Sequence, residues 1–210
     1  MHKNIKKIQK FEQRPFIIKN FINQRDIEIF QKLYDELPVE INNTRQQIKK
    51  KKWTVNYYPE FQKKYHEDLK KIIGDFWMDN PKSKENLESL GLFQESLKPV
   101  SLHVDTGFDY KNILYKQTLL ALSEGSETII FKNRFYGCST TFSIDPAELS
   151  ATGYNKRSSE HLALYGEKNF DKNFHKKYLS HENIDNLRGL EVDLVFEWKI
   201  GDLLVFDRTA

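Results

Sequence analysis

Short β-leaning segments, separated by turn residues, occupy much of the chain after Pro99 and constrain its fold more than any other feature. Gly125-Ser126 and Gly201-Asp202 each follow an apolar run, and such pairs mark turns. Several short strands with turns between them predict a sandwich or a barrel. The predicted strands lie at 100–104, 115–122, 127–131, 189–198 and 203–206.

The first 98 residues carry a different pattern, that of amphipathic helices. Asn23 can cap a helix over 24–37, where apolar residues recur at the spacing of one helical face. Pro59 can begin a second helix, since its missing N–H is not needed in the first turn. Residues 1–98 are therefore predicted to be mainly helical support for a β core at 99–210.

Length and composition favour one domain over residues 1–210, because a single hydrophobic core seldom grows beyond roughly 250 residues. Hydrophobic residues make up 39% of the chain, which argues against wholesale disorder. Residues 132–188 form a long irregular stretch around one predicted helix at 171–179. We interpret this stretch as an insertion in the core that forms a lid or a binding surface.

The cysteine content and the apolar runs indicate the compartment. Cys138 is the single cysteine, so an intrachain disulfide framework and a cysteine-built zinc site are excluded. No apolar run approaches the roughly 18 residues of a membrane span, and the N-terminus lacks the apolar region of a secretory signal. A cytoplasmic protein without a membrane partner is predicted.

Charge is nearly balanced, with a net charge of +3, but four consecutive lysines stand at 49–52. Such a run could steer an anionic partner, or it could be a solvated loop in a lysine-rich protein. No zinc-finger or RNA-binding signature accompanies it, so nucleic acid is not predicted as a partner.

His103-Val104-Asp105 is the pattern that points most directly to chemistry. On a strand, side chains two positions apart project from the same face, so the imidazole and the carboxylate would enter one cavity together. They would supply two of the three ligands of a 2-His-1-carboxylate triad, which holds Fe(II) and leaves positions open for substrates. The alternative is a pair of ordinary strand residues without a metal.

Four segments, in this order, add context to the His-x-Asp pair: PFIIKNFINQRDIEIF at 15–30, the pair itself, LSEGSETIIF at 122–131 and WKIGDLLVF at 198–206. They look like the opening strand and helix, the iron motif, the "YL…EGGET.F" turn and the "GD.L.F" strand of a known family. The chain thus resembles the 2-oxoglutarate/Fe(II)-dependent oxygenases, especially their prolyl-hydroxylase-like and phytanoyl-hydroxylase-like branches.

The resemblance implies an α+β fold, a double-stranded β-helix (jelly roll) backed by N-terminal helices. It also implies that His103 and Asp105 bind Fe(II), and that O₂ oxidises 2-oxoglutarate to succinate and CO₂ while a substrate is hydroxylated. A carboxylate at Asp105 favours hydroxylation over halogenation, which needs a small residue there. The substrate is not identified by the sequence and could be a small molecule or a peptide.

The third iron ligand departs from the family pattern. In the family, a second His follows the "GD.L.F" strand, and a basic residue further on pairs with 2-oxoglutarate. This sequence reaches Ala210 just where that His is due, so we expect both residues beyond Ala210. His161, His175 and His181 lie in the insertion, but each is expected to be an exposed or hydrogen-bonded loop histidine.

The register of the resemblance also suggests residues that bind 2-oxoglutarate. Tyr115 and Gln117 would face inward on one strand, and Thr128 on the next, where ordinary filling of the barrel is the alternative. Lys116 would face inward instead if the register shifts by one residue. Arg134 is a further possible partner for an anion.

A different class of function also fits these patterns, that of a non-catalytic jelly roll used for binding or assembly. His103 and Asp105 would then be strand residues without a metal, and the lysines at 49–52 could form the contact surface. Iron binding and 2-oxoglutarate turnover distinguish the enzyme from this module.

Overall fold

The computed structural model describes residues 12–44, 47–54, 56–74, 89–104, 116–135, 140–141 and 166–210. It divides the chain into two compact units. The first, which we call the α/β unit, is Asn23–Val100; the second, the β unit, combines Met1–Ile22 with Ser101–Ala210.

The elements of both units follow in chain order. The helices are α1 (Gln24–Glu36), α2 (Pro59–Ile73) and α3 (Lys172–Tyr178), and a 3₁₀ helix spans Ile184–Leu187. The strands are β1 (Phe16–Ile18), β2 (Ile41–Asn43), β3 (Ile48–Thr54), β4 (Ser89–Ser96), β5 (His103–Val104), β6 (Lys116–Leu120), β7 (Glu127–Phe131), β8 (Thr140–Thr141), β9 (Val192–Glu197) and β10 (Leu203–Asp207).

Both helices of the α/β unit begin where the sequence predicts. The side chain of Asn23 accepts a hydrogen bond from the backbone N–H of Asp26 at 3.0 Å, which satisfies a donor of the first turn of α1. Helix α2 starts at Pro59 and ends at Ile73, because Gly74 adopts a φ of 82° that favours glycine and stops the helix. The predicted α+β class is confirmed, since the chain contains both helices and antiparallel sheets.

Aromatic side chains form the core of the α/β unit around Phe30 on α1. The ring of Phe30 makes edge-on contacts with Trp53 of β3, Phe93 of β4, and Phe61 and Tyr65 of α2. Phe30 and Trp53 are almost fully buried. Large rings at these spacings contribute both buried area and favourable edge contacts, so they join the helices to the sheet.

A three-stranded antiparallel sheet with the order β2–β3–β4 completes this unit, and the sequence pattern did not predict it. The lysines at 49–52 lie within β3 and not in a solvated loop. Lys51 is buried, and its ammonium donates a hydrogen bond to the backbone carbonyl of Tyr34. The same ammonium lies 4.1 Å from the centre of the Tyr34 ring. Residues 1–98 therefore contain a sheet in addition to the two predicted helices.

A long two-stranded antiparallel ribbon is the main feature of the β unit. Strand β6 pairs with β10, and strand β7, which follows β6, pairs with β9, which precedes β10. The pairing is therefore nested, with the β7–β9 pair enclosed in the sequence between β6 and β10. The segment from β6 to β7 runs antiparallel to the segment from β9 to β10 through both sheets. Strand β1 pairs with the other edge of β10, giving the sheet order β1–β10–β6.

The ribbon stays hydrogen-bonded where it turns from one sheet to the other. The N–H of Ala121 donates to the carbonyl of Asp202 at 3.0 Å, and the N–H of Gly201 donates to the carbonyl of Ala121 at 2.9 Å. On the far side of the turn, the N–H of Trp198 donates to Ser126 at 2.9 Å. Gly201 has a φ of 90°, which explains the glycine at this point.

Two apolar clusters border the β7–β9 pair. The first, the Phe196 cluster, is Ala121, Ile130, Phe196 and Leu204. The second, the Leu187 cluster, is Phe131, Phe170, Leu179, Leu187 and Leu190. Because neighbouring residues of a strand point to opposite faces, Ile130 and Phe131 enter different clusters, and β7 separates the two.

The predicted strands agree with these elements to within a few residues. Strand β7 has the predicted bounds, while the predicted segments at 115–122 and 189–198 contain the shorter strands β6 and β9. The predicted segment at 100–104 contains only the two residues of β5, which pair with β8. Helix α3 occupies the predicted position, with Asp171 as its N-cap.

Among the described helices, none has the length and apolar character needed to cross a membrane.

The hydroxyl of Tyr34 on α1 gives this unit a pH dependence that can be tested. It donates to a carboxylate oxygen of Glu95 at 2.5 Å, and this bond, with partial burial, raises the pKa of Tyr34 to about 12. Because the folded-state pKa exceeds the ordinary value of 10.0, the bond stabilises the fold fully below pH 10. The contribution is lost as the pH rises to about 12.

We therefore expect Tyr34→Phe to lower the free energy of unfolding by about 1 kcal/mol at neutral pH. The difference from the wild type should shrink as the pH rises from 10 toward 12, as followed by urea unfolding at each pH. Glu95→Gln provides the control background, in which the pH dependence of the Tyr34→Phe effect should largely disappear. An effect of constant size across this range would contradict the assignment.

Candidate functional site

The imidazole of His103 lies on β5 in a defined orientation. Its Nδ1 is 2.6 Å from the backbone carbonyl of Ser101, and since a carbonyl only accepts, Nδ1 carries the proton and donates. In the neutral form of the ring, this tautomer has its lone pair on Nε2. This is the arrangement typical of metal-binding histidines, whose other ring nitrogen usually donates to a carbonyl or a carboxylate. The side chain is exposed and therefore accessible to solvent.

Asp105 and Tyr115 lie outside the described residues. The predicted pairing of His103 with the carboxylate of Asp105 on one strand face is therefore still a prediction, as is the inward orientation of Tyr115. Strand β5 ends at Val104.

Gln117 lies in the middle of the β6–β10 pair, opposite Phe206. By strand alternation it shares a face with Leu119 and Ala121, and both of these residues pack in or against the Phe196 cluster. The predicted strand face of Gln117 is therefore the face that carries this cluster. By the same alternation Lys116 lies on the opposite face of the strand, whereas the alternative register would place it inward.

Thr128 on β7 shares a face with Ile130 of the Phe196 cluster. Its hydroxyl oxygen accepts a hydrogen bond from the indole N–H of Trp198 at 2.9 Å. This contact agrees with the alternative prediction of ordinary filling, although the hydroxyl keeps its own proton to donate. Gln117 and Thr128 thus lie on strand faces that carry the Phe196 cluster, whereas Leu102, next to His103, packs against the Leu187 cluster.

A buried group of charges at the end of β10 was not predicted from the sequence. The carboxylate of Asp207 is fully buried, binds the ammonium of Lys116, and lies 3.3 Å from the guanidinium of Arg134. It also accepts from the backbone N–H of Gln13 at 2.8 Å, while Arg134 donates to the carbonyl of Gln13 at 2.9 Å. Lys116 and Arg134, considered as partners of an anion, therefore bind an anion of the chain itself.

The remaining histidines of the insertion differ in their surroundings. The Nε2–H of His175 on α3 donates to the backbone carbonyl of Glu182 at 2.9 Å, so it is a hydrogen-bonded histidine as expected. His181 is exposed, and His161 lies outside the described residues. Within the described ranges, no three His, Cys, Asp or Glu side chains are gathered closely enough to hold a metal ion.

A cleft of about 600 Å³ lies beside α3, in the part of the insertion that the structure describes. One wall comes from α3 and the residues before it, and the other from the residues that precede and begin β9. Lys177 lies 4.5 Å from the ring centre of Tyr178, and a hydrogen bond with this residue raises the pKa of Lys177. The lining combines aromatic groups with charges of both signs: Phe170, Phe174, Tyr178, Lys132, Lys177, Asp171 and Glu191.

The lysines of β3 are largely engaged with acceptors of their own unit. Lys49 binds Glu95 at 3.3 Å, and Lys52 binds Glu40 at 2.7 Å, while Lys51 is buried. Such pairing reduces the positive potential that an anionic partner would meet, which weakens the prediction of a basic contact surface.

Searches of family models, curated proteins and solved structures found no match to this chain. The family resemblance of the motifs is neither supported nor opposed by these comparisons.

The buried charge group gives a testable prediction about stability. Asp207→Asn would leave Lys116 and Arg134 facing each other without a carboxylate, and we expect a loss of about 3–5 kcal/mol in the free energy of unfolding. Asp185→Ala removes an exposed ion pair with Arg188 and should cost less than about 1 kcal/mol. Urea unfolding of the two variants measures the contrast, and equal losses would show that the group contributes no more than a surface pair.

Proposed function

We propose that this protein is a 2-oxoglutarate- and Fe(II)-dependent dioxygenase that hydroxylates an unidentified substrate. The observation that carries the proposal is the orientation of His103. Its Nδ1 is 2.6 Å from the Ser101 carbonyl, which assigns the proton to Nδ1, and Nε2 is then the ring nitrogen that would bind a metal. The proposal also uses the family resemblance of the motifs.

The arrangement of the strands supports the proposed jelly roll. A jelly roll results when a two-stranded antiparallel ribbon winds into two facing sheets, and this requires nested pairing. The β6–β10 and β7–β9 pairs are nested and stay hydrogen-bonded through the turn at Ala121 and Gly201. Residues of both pairs meet in the Phe196 cluster, as the two faces of such a roll would.

The imidazole of His103 is a donor that suits Fe(II). With the proton on Nδ1, Nε2 is the nitrogen that would bind the metal. By the resemblance, Asp105 and a second His would complete the ligand set. Bound iron, with O₂ as the oxidant and 2-oxoglutarate as the co-substrate, would supply the oxidising chemistry, while the chain positions the imidazole and encloses the substrate.

The cleft beside α3 supports a role for the insertion in substrate binding. Phe174 and Tyr178 pack against each other with ring centres 4.7 Å apart, and Lys177 lies next to the ring of Tyr178. The cleft and Leu102, which precedes His103, both border the Leu187 cluster.

Metal binding and turnover test the proposal directly. The full-length protein, prepared without metal, should bind Fe(II) and convert 2-oxoglutarate to succinate, and His103→Ala should abolish both activities. His181→Ala removes an exposed histidine of the same unit and should leave both unchanged. Iron binding and succinate formation are measured by equilibrium titration and by product analysis.

One result would count against His103 and another against the enzyme. Turnover by His103→Ala at the wild-type rate would exclude His103 as a ligand. A wild type that neither binds iron nor forms succinate would favour the binding or assembly module.

A further inference from the structure

We propose that Glu182 is a positioning residue that acts on His103 through one peptide group. The carboxylate of Glu182 accepts a hydrogen bond from the backbone N–H of Leu102, with a distance of 3.0 Å. The carbonyl of Ser101 accepts from Nδ1 of His103, with a distance of 2.6 Å. This N–H and this carbonyl belong to the same peptide group.

The geometry makes a chain of two hydrogen bonds from the carboxylate to the imidazole. A peptide group is planar, and its N–H and C=O point in opposite directions in the trans form. Glu182 therefore fixes the plane of the Ser101–Leu102 peptide from one side, and the imidazole of His103 is bound on the other side. The orientation of the ring depends on the orientation of that plane.

The chain also has an electrostatic consequence. A negative carboxylate at the N–H polarises the peptide group, and hydrogen bonds linked in this way strengthen one another. The Ser101 carbonyl becomes a better acceptor, so the proton of His103 is held more firmly on Nδ1. Metal-binding histidines are commonly oriented by a carboxylate on the second ring nitrogen, and here a peptide group lies between the two.

Glu182 is itself held in place by neighbouring residues of the insertion. Its backbone carbonyl accepts from the Nε2–H of His175 at 2.9 Å, and its backbone N–H donates to the carbonyl of Leu179, also at 2.9 Å. Leu179 belongs to the Leu187 cluster, and Leu102 packs against the same cluster. The acceptor and the peptide group that it binds are therefore anchored to one hydrophobic core.

The first test uses the protein without metal and does not depend on the proposed oxygenase function. In Glu182→Ala, the Leu102 amide should exchange with deuterium about tenfold faster, because a hydrogen bond to a charged group is lost. At a pH of about 8.5, where an ordinary imidazole is neutral, ¹⁵N NMR should show that His103 shifts from the Nδ1–H tautomer toward the Nε2–H tautomer.

Glu182→Gln is the conservative variant, because its amide oxygen can accept the same bond without the charge. It should retain most of the protection of the Leu102 amide and give a tautomer ratio between those of the wild type and Glu182→Ala. Glu124→Ala, at an exposed position of the same unit, is the matched control and should change neither quantity. An unchanged tautomer ratio in Glu182→Ala would overturn the proposal.

The second test rests on the proposed function and measures Fe(II) affinity in the full-length protein. Loss of the orienting group should weaken the affinity of Glu182→Ala by about tenfold or more, with a smaller loss in Glu182→Gln. An affinity equal to that of the wild type would overturn the positioning role. If the tautomer shifts in Glu182→Ala but the wild type binds no iron, the hydrogen-bonded chain is supported and the oxygenase assignment is wrong.

Discussion

The hydrogen bonds at the corner of the ribbon, where Asp202 lies, determine much of the β unit. The carboxylate of Asp202 accepts from the backbone N–H of Asn20 at 2.8 Å, and the carbonyl of Gly201 accepts from Phe21 at 2.8 Å. These bonds join the residues after β1 to the same corner that Ala121 joins from the other side. With the corner fixed, the two halves of the ribbon can face each other and enclose the Phe196 cluster.

The far end of the same sheet is held by charge. Asp207 lies opposite Lys116 in the β6–β10 register, and Gln13 and Arg134 approach the same carboxylate. A buried carboxylate is tolerated only when its oxygens are paired, and here all of the described partners are cations or a backbone N–H. Hydrogen bonds at one end of the sheet and ion pairs at the other therefore fix the register of its strands.

Local sequence patterns predicted the elements that begin at a cap or turn residue, or whose apolar residues recur at a regular spacing. Strand β7 follows the turn at Gly125, and α1 follows the cap at Asn23, so the chemistry of single residues marked where each element begins. Strand β3 was missed because its lysines hide the alternation of buried and exposed positions. The long apolar stem of Lys51 can be buried while its ammonium reaches a carbonyl, and a sequence pattern does not distinguish this from a solvated lysine.

The candidate site shows the same limit more sharply. The sequence made His103 a candidate metal ligand from its spacing to Asp105, because metal ligands have a characteristic pattern of side chains. Glu182 was not identified, since it acts on a backbone N–H that lies 80 residues away in the chain and has no side-chain signature. Asp207 was missed for a related reason, as its partner Lys116 is 91 residues away. Long-range contacts of this kind depend on the completed fold.

Because the pairing is nested, the first strands of the ribbon are synthesised well before their partners. Strands β6 and β7 leave the ribosome before β9 and β10 exist, and at about 5–20 residues per second the wait for their partners lasts several seconds. During that time two apolar strands have unsatisfied edges, which are the usual starting points of aggregation. Production of this protein should therefore be sensitive to translation speed and to chaperone supply, even though each finished strand is well paired.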